Sequence, residues 1–253
     1  MKITFLGTGT SQGVPVIACP CDVCASSDIK DKRLRTSVLI ETGREIFTID
    51  AGLDFRQQLL RENVKHLDAI LITHGHKDHI GGMDDVRSFN YLQQGPMDVY
   101  SDEIAAQSVR TEFAYAFADE KYPGIPEMNL ITVGDEAFSL GSTIIKPIPL
   151  MHLKLPVLGF RIEDFVYITD ANFISDESME LIKGAKILVI NALRKQKHIS
   201  HFNLHEALEI IHLVKPKKAY LTHISHQMGF HAEVSKELPE NVELAYDGLC
   251  FNI

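Results

Sequence analysis

"AILITHGHKDHIGG", residues 69–82, decides how this chain is read. A short apolar run from Ala69 to Thr73 has strand character, and its end delivers His74, His76, Asp78 and His79 within six positions, before Gly81 and Gly82. Three imidazoles and a carboxylate packed this tightly have few structural uses. Each wants a hydrogen-bond partner, and none fills an apolar pocket cheaply. Binding a metal ion accounts for all four together. A lone histidine would read as a surface or satisfied core residue; the set does not.

The rest of the chain gives that stretch a setting. It has 253 residues, 45% of them hydrophobic, which is enough for one large core and leads us to expect one domain, residues 1–253. Its twelve histidines stand mostly beside acids or at the ends of apolar runs. Further β-branched runs at 2–6, 36–41, 46–50, 144–150, 159–162, 166–169, 186–191 and 218–222 read as strands. Apolar residues at three- and four-residue spacing predict helices over 55–63, 104–117, 178–183 and 204–214. The class is therefore mixed α and β, with antiparallel pairing expected where strands adjoin near 36–50 and 142–169. "YPGIPEMN" (122–129) is the expected exposed connection between the halves.

The formal charge of −9 would repel a nucleic-acid backbone, so an anionic substrate must be met by a local feature. No stretch approaches the roughly 20 apolar residues of a membrane span, and Met1-Lys2 leads directly into a strand; a cytoplasmic protein with no membrane partner is expected. The opening "ITFLGTGTSQGVP" (3–15) invites comparison with a dinucleotide-binding loop. Gln12 stands where G-x-G-x-x-G needs glycine, and Pro15 with the cysteines beyond it leaves no room for the helix that must follow. The glycines read instead as a sharp turn off the first strand, with phosphate contact as the lesser alternative.

T-H-x-H-x-D-H at the end of a strand resembles the metallo-β-lactamase fold superfamily of hydrolases, and the similarity extends over most of the chain. The resemblance implies a four-layered αββα sandwich, an α/β (α+β) fold, with the active site at one edge. It also implies further ligands at His152 in "PIPLMHLKL", Asp170 in "VYITDAN" and His223 in "AYLTHISH". His74, His76 and His152 would then hold one metal and Asp78, His79 and His223 the second, with Asp170 between them. Asp50 in "FTIDAG" matches an aspartate that orients a ligand imidazole in that family; it also reads as a turn former. Two divalent ions so held activate water and stabilise the oxygens of a phosphodiester, and a shell of His and Asp suits zinc or manganese.

A leaving alkoxide needs a proton. In "KHISHFNLHEAL" (197–208), Asn203 and Glu206 form a capping box, which places His201 just before a helix N-terminus, an end that favours anions. The pattern resembles the histidine motif of the phosphodiesterase branch, where this residue is the general acid; otherwise His201 is a solvated loop residue. Two basic runs, at 194–197 and 30–35, read either as phosphate attractors or as solvated faces.

Cys19, Cys21 and Cys24 can supply three thiolates, and His226 a fourth ligand, to a structural zinc. Cys250, in an apolar tail, is expected to be buried. C-x-C-x-x-C after "FLGTG", with a His-x-x-His pair near the C-terminus, resembles the PhnP phosphodiesterases, whose members hydrolyse cyclic phosphate diesters, notably a phosphoribosyl cyclic phosphate. The expected activity is hydrolysis of a small, anionic phosphodiester. A tRNA 3′-processing ribonuclease ranks second, lacking a basic arm, and a thioesterase of the same fold is the acyl alternative. A silent binding module is disfavoured because no ligand position is lost. Dimerisation is a family-level expectation only.

Overall fold

A computed structural model describes residues 1–120 and 122–253. In the first half, β1 (Lys2–Gly7), β2 (Ser37–Glu41) and β3 (Ile46–Ile49) pair antiparallel in succession. The sheet then continues in parallel through β4 (Ala69–Leu71), β5 (Met97–Ser101) and β6 (Met128–Thr132). In the second half, β7 (Phe138–Leu140), β8 (Thr143–His152), β9 (Leu155–Ile162) and β10 (Phe165–Tyr167) form an antiparallel meander, extended in parallel by β11 (Ile187–Asn191), β12 (Lys218–Thr222) and β13 (Val242–Leu244). β14 (Cys250–Asn252) returns to the first sheet beside β1, making two seven-stranded sheets among the described residues.

Three apolar clusters define the layers. Phe5 and Phe47 of the first sheet and Phe160, Phe165 and Tyr167 of the second lie in one core between the sheets. Helices α1 (Asp22–Ala25), α2 (Phe55–Arg61), α3 (Lys77–Ile80), α4 (Arg87–Gln93) and α5 (Glu103–Glu112) belong to the first half. The apolar faces of α2, α4 and α5 cover the first sheet's outer side. Of α6 (Asp176–Ile182), α7 (Leu204–Val214) and α8 (His231–Val234), the first two bury Ile182, Ala207 and Ile211 against the outer side of the second sheet. This is the expected αββα order. Among the described residues no helix is long and apolar enough to cross a membrane.

The parallel strands β3 and β4 of one sheet and β10 and β12 of the other end on the same edge, and the chain turns there into the residues of interest. α7 has the predicted bounds because Asn203 and Glu206 cap it reciprocally. Three expectations need correction. The stretch 122–129 is not the link between halves: Met128 and Asn129 already belong to β6, and residues 133–137 make the crossing. The helix expected to Phe117 ends at Glu112, with a 3₁₀ turn over Ala114–Ala116. Cys250 is exposed, because β14 is an edge strand that turns Phe251, not Cys250, toward Phe5 and Tyr220.

The opening loop is scaffold. Gly13 takes φ +66°, while Gly7 is required by close approach: a Cβ there would sit 1.9 Å from the Arg35 carbonyl oxygen. The loop is pinned to the far half by Thr10 N donating to the Ile224 carbonyl and Ile224 N to that of Thr8.

Candidate metal centre and active site

β4 ends two residues before Thr73, and the single turn α3 that follows carries Asp78 and His79, with His76 at its N-cap. His152 is the last residue of β8. Asp50, Asp170 and His223 follow β3, β10 and β12, and all three adopt left-handed backbone, with φ of +66°, +53° and +55°. Side chains bound for the sheet edge are thereby turned inward, at a conformational cost that the surrounding structure must hold.

These turns bring every predicted ligand together. His74, His76, His152 and Asp170 form one group and Asp78, His79, Asp170 and His223 a second, with the candidate ligand atoms of each within 4.8 Å of one another. Asp170 is common to both: its Oδ2 lies 3.7 Å from His74 Nε2 and 3.3 Å from His79 Nε2, and its Oδ1 lies 2.9 Å from His223 Nε2.

The hydrogen bonds behind the imidazoles fix which nitrogen faces inward. His79 Nδ1 donates to Asp50 at 2.7 Å, His152 Nδ1 to the Ser200 carbonyl at 2.7 Å, and His74 Nδ1 to Thr73 Oγ1 at 3.0 Å. Thr73 in turn donates its amide and hydroxyl to Asp50. Asp50 thus both turns the chain and orients a histidine, so the two sequence readings of it coexist. Each of these imidazoles turns its Nε2 inward, His74 Nε2 meeting His76 Nδ1 at 2.9 Å, while His79 Nε2 and both nitrogens of His223 are buried without a well-aligned hydrogen-bond partner. Buried polar atoms that converge while unpaired fit divalent cations, which satisfy them and need such outer partners for orientation.

Charge in the site supports this. Burial presses His79 toward neutrality, but Asp170, Asp50 and Asp78 outweigh it and hold its pKa well above the usual imidazole range. Burial likewise opposes protonation of His223, yet Asp170 and Asp78 raise it to about 9. His74, buried beside His79, is held well below. The carboxylates thus favour positive charge at His79 and His223, and cations would take the place of those protons.

His201 stands outside both groups but over them, its ring centroid 4.6 Å from that of His152 and 4.8 Å from that of His223. It is buried, with Nδ1 unpartnered, and burial together with His223 pushes its pKa down to about 3. The solvated-loop alternative therefore does not hold. The adjoining end of α7 is already closed by the Glu206 carboxylate, so it offers no free anion site. The basic runs are likewise engaged: Arg194 with Gln227, Lys195 with Glu237, Arg35 with Asp54, and Arg33 buried against Thr8 and His231.

Beside this edge, Cys19, Cys21, Cys24 and His226 place their ligand atoms within 4.8 Å of one another, with Cys19 and Cys21 Sγ 3.4 and 3.2 Å from His226 Nδ1. The His226 hydrogen bond draws the Cys21 pKa down to about 6, while burial lifts that of Cys24 to about 11. Three thiols and an imidazole so placed fit a tetrahedral zinc.

Several supporting residues escaped the sequence reading. Asn191 clamps the turn after Asp170 by bonding both the amide and the carbonyl of Ala171 at 3.0 Å. Gly52 admits the Asp78 loop, since a Cβ there would lie 1.9 Å from the Asp78 carbonyl oxygen. The "DAG" at 50–52 was the available signal.

Residues 46–224 match the family described as "Beta-lactamase superfamily domain". An octanoyltransferase of Porphyromonas gingivalis is 39% identical over 98% of this chain, but the chain spans only 51% of that protein. A solved structure described as a new diphosphatase from the PhnP family superposes with a TM-score of 0.93 at 39% identity, covering 100% of this chain and 97% of that one. Zn(2+)-bound PqqB from Methylobacterium extorquens shares the fold at TM-score 0.81 and 17% identity, each chain covered completely. More distant matches include ribonuclease Z proteins. The match over 46–224, which runs through the whole histidine cluster from His74 to His223, places the chain in the beta-lactamase superfamily.

Proposed function

We propose that this protein hydrolyses a small disubstituted phosphate, a phosphodiester (cyclic esters included) or a diphosphate, with His74, His76, His152 and Asp170 holding one divalent zinc or manganese and Asp78, His79, Asp170 and His223 the other. Two cations held there supply Lewis acidity, polarising a phosphoryl oxygen and bringing the pKa of water toward neutrality. The observation that carries the reading is His201. It is an imidazole outside the ligand groups, buried directly over both of them, with a nitrogen that no protein atom satisfies. Neutral before substrate arrives, it donates one N–H to a phosphoryl or leaving oxygen; the anionic substrate raises its proton affinity and fits it to act as the general acid.

The diphosphatase named among the similar structures supports phosphate chemistry of this kind. The engaged state of the basic runs and the charge of −9 argue against a large nucleic acid as substrate. The three gathered thiols, free of disulfides and suited to a structural zinc, support a reducing, cytoplasmic setting. Homodimerisation is carried over as a family-level expectation. A second reading, acyl hydrolysis, draws on the octanoyltransferase name; that name describes a protein twice as long, and the shared half need not carry the activity.

The test is turnover by metal-loaded protein of a bis-aryl phosphate, a ribose cyclic phosphate, a diphosphate ester, precursor tRNA and a thioester. Cleavage of small diesters or diphosphates is expected, with His201→Ala lowering kcat about 10²- to 10⁴-fold at unchanged metal content. Thioester cleavage with silence on every phosphate would transfer the protein to the acyl branch.

A further inference from the structure

Asn172, two residues past Asp170, ties three loops together at the mouth of the site. Its side chain accepts from the Leu153 amide at 2.6 Å and donates to the Ile199 carbonyl at 3.1 Å. Leu153 follows His152, Ile199 precedes His201 by two residues, and Phe173 follows Asn172 itself. Three large apolar side chains on loops from separate parts of the sequence thus stand beside three members of the cluster, left 52%, 74% and 56% exposed. Singly such exposure means nothing; gathered at a site by a dedicated hydrogen-bonded asparagine, it marks a binding surface.

Behind Phe173 lies a groove of about 420 Å³. It follows the edge of β8 beyond Thr143–Ile145, where pairing with β7 stops. Met151, Leu158, Phe173 and Val133 line it, with Asp102 and Asp135 also in its walls and no Lys, Arg or His among its described lining residues. Its walls adjoin the cluster through the main chain. Met151 N donates to the Phe173 carbonyl one residue before His152, and Leu158 N donates to the Thr73 carbonyl one residue before His74.

We propose that this wall and groove receive the organic group of the substrate, and that the group is an uncharged, predominantly hydrocarbon chain. The inference rests on reading the site as a hydrolase of disubstituted phosphates. A second phosphate or a nucleotide would meet two carboxylates and no cation in the groove. A hydrocarbon chain gains by covering Phe173, Met151 and Leu158.

The experiment compares p-nitrophenyl methyl, butyl and octyl phosphates as substrates of the metal-loaded protein. kcat/KM is expected to rise about tenfold or more from methyl to octyl. Phe173→Ser should bring the octyl-to-methyl ratio close to one, while Phe173→Leu keeps the slope. Turnover with a flat series in the wild type overturns the groove and leaves the hydrolase reading standing. Absence of turnover on every diester and on a diphosphate ester overturns the hydrolase reading instead, and calorimetric titration with methyl, butyl and octyl phosphate then judges the groove alone. Affinity that climbs with chain length in the wild type but not in Phe173→Ser supports it, and equal affinities overturn it.

Discussion

Asp170 carries more of this site than any other residue, since among the described residues it is the carboxylate common to both histidine groups. It is buried and ionised, held well below the usual carboxylate range: burial opposes this, but His223 and His79 beside it prevail. Its φ of +53° would strain most side chains, whereas aspartate and asparagine tolerate the region. Asp170→Asn therefore keeps the turn and the shape while removing the shared charge. Folding should be retained and hydrolysis lost by about 10³-fold or more, with metal affinity reduced. The same substitution removes the main group raising His223, so the metal-free variant should release the His223 proton well below the pH of about 9 at which the parent does. The sign is fixed: in the parent His223 is protonated at neutral pH and must lose that proton to bind metal, so apparent metal affinity rises with pH up to about 9. In the variant that dependence flattens. Chelator competition from pH 6 to 10, with imidazole NMR of the metal-free protein, checks both statements.

At the scale of elements, the two sheets are joined at the turns by a single carboxylate. Glu45, in the β2–β3 turn, accepts from Ser142 N and Oγ and from Thr143 Oγ1 in the β7–β8 turn, and also from Thr42. These donors, Ser142 N foremost, lower its pKa from an ordinary 4.5 to about 2. A depressed carboxylate stabilises the fold above its unfolded pKa and ceases to do so as pH falls through its folded one. Glu45→Gln should therefore lower Tm at pH 7, with the difference from the parent closing between about pH 4.5 and 2, as thermal melts across that range would show. This strap was invisible in the sequence because it joins turns 97 residues apart. What could be read were elements whose signals are local: α7 with its reciprocal caps, β12 with its apolar run, and the cluster of chemistry-bearing residues at 74–79. The edge strands β6, β7, β13 and β14 are short or half exposed, so periodicity does not declare them. β5 alternates cleanly, with Met97, Val99 and Ser101 buried, and its signal was available. The candidate ligands at 74–79 were legible because their residue types crowd just past a strand, and His152, Asp170 and His223 through the family resemblance. Their supports were not, since Ser200 acts through its carbonyl, Gly52 through a missing side chain, and Asn172 and Asn191 through distant main-chain groups.

For the molecule as a whole, the cysteine cluster and the metal centre are one construction. The β12 strand leads into His223, and three residues later His226 meets Cys19 and Cys21 from the opening loop, which is itself bonded to Ile224 on either side of Gly9. A zinc in the cysteine cluster would therefore fasten the first half of the chain to the turn that presents His223. Cys21, with its pKa near 6, is the thiol most readily ionised for that purpose. A cation present at a hundred times its Kd stabilises the folded state by about 2.7 kcal/mol, which for a chain of this length is a shift of roughly 5–10 °C. Cys21→Ser should forfeit one zinc per chain and about that much in Tm, and kcat should fall less than Tm suggests once the active-site cations are replenished. Cys250→Ser, exposed on the edge strand, should change neither quantity. Metal content and melting of the two variants side by side decide the matter: if Cys21→Ser keeps the parent's zinc and Tm, the four residues hold no structural metal and the loop is fastened by its main-chain bonds alone.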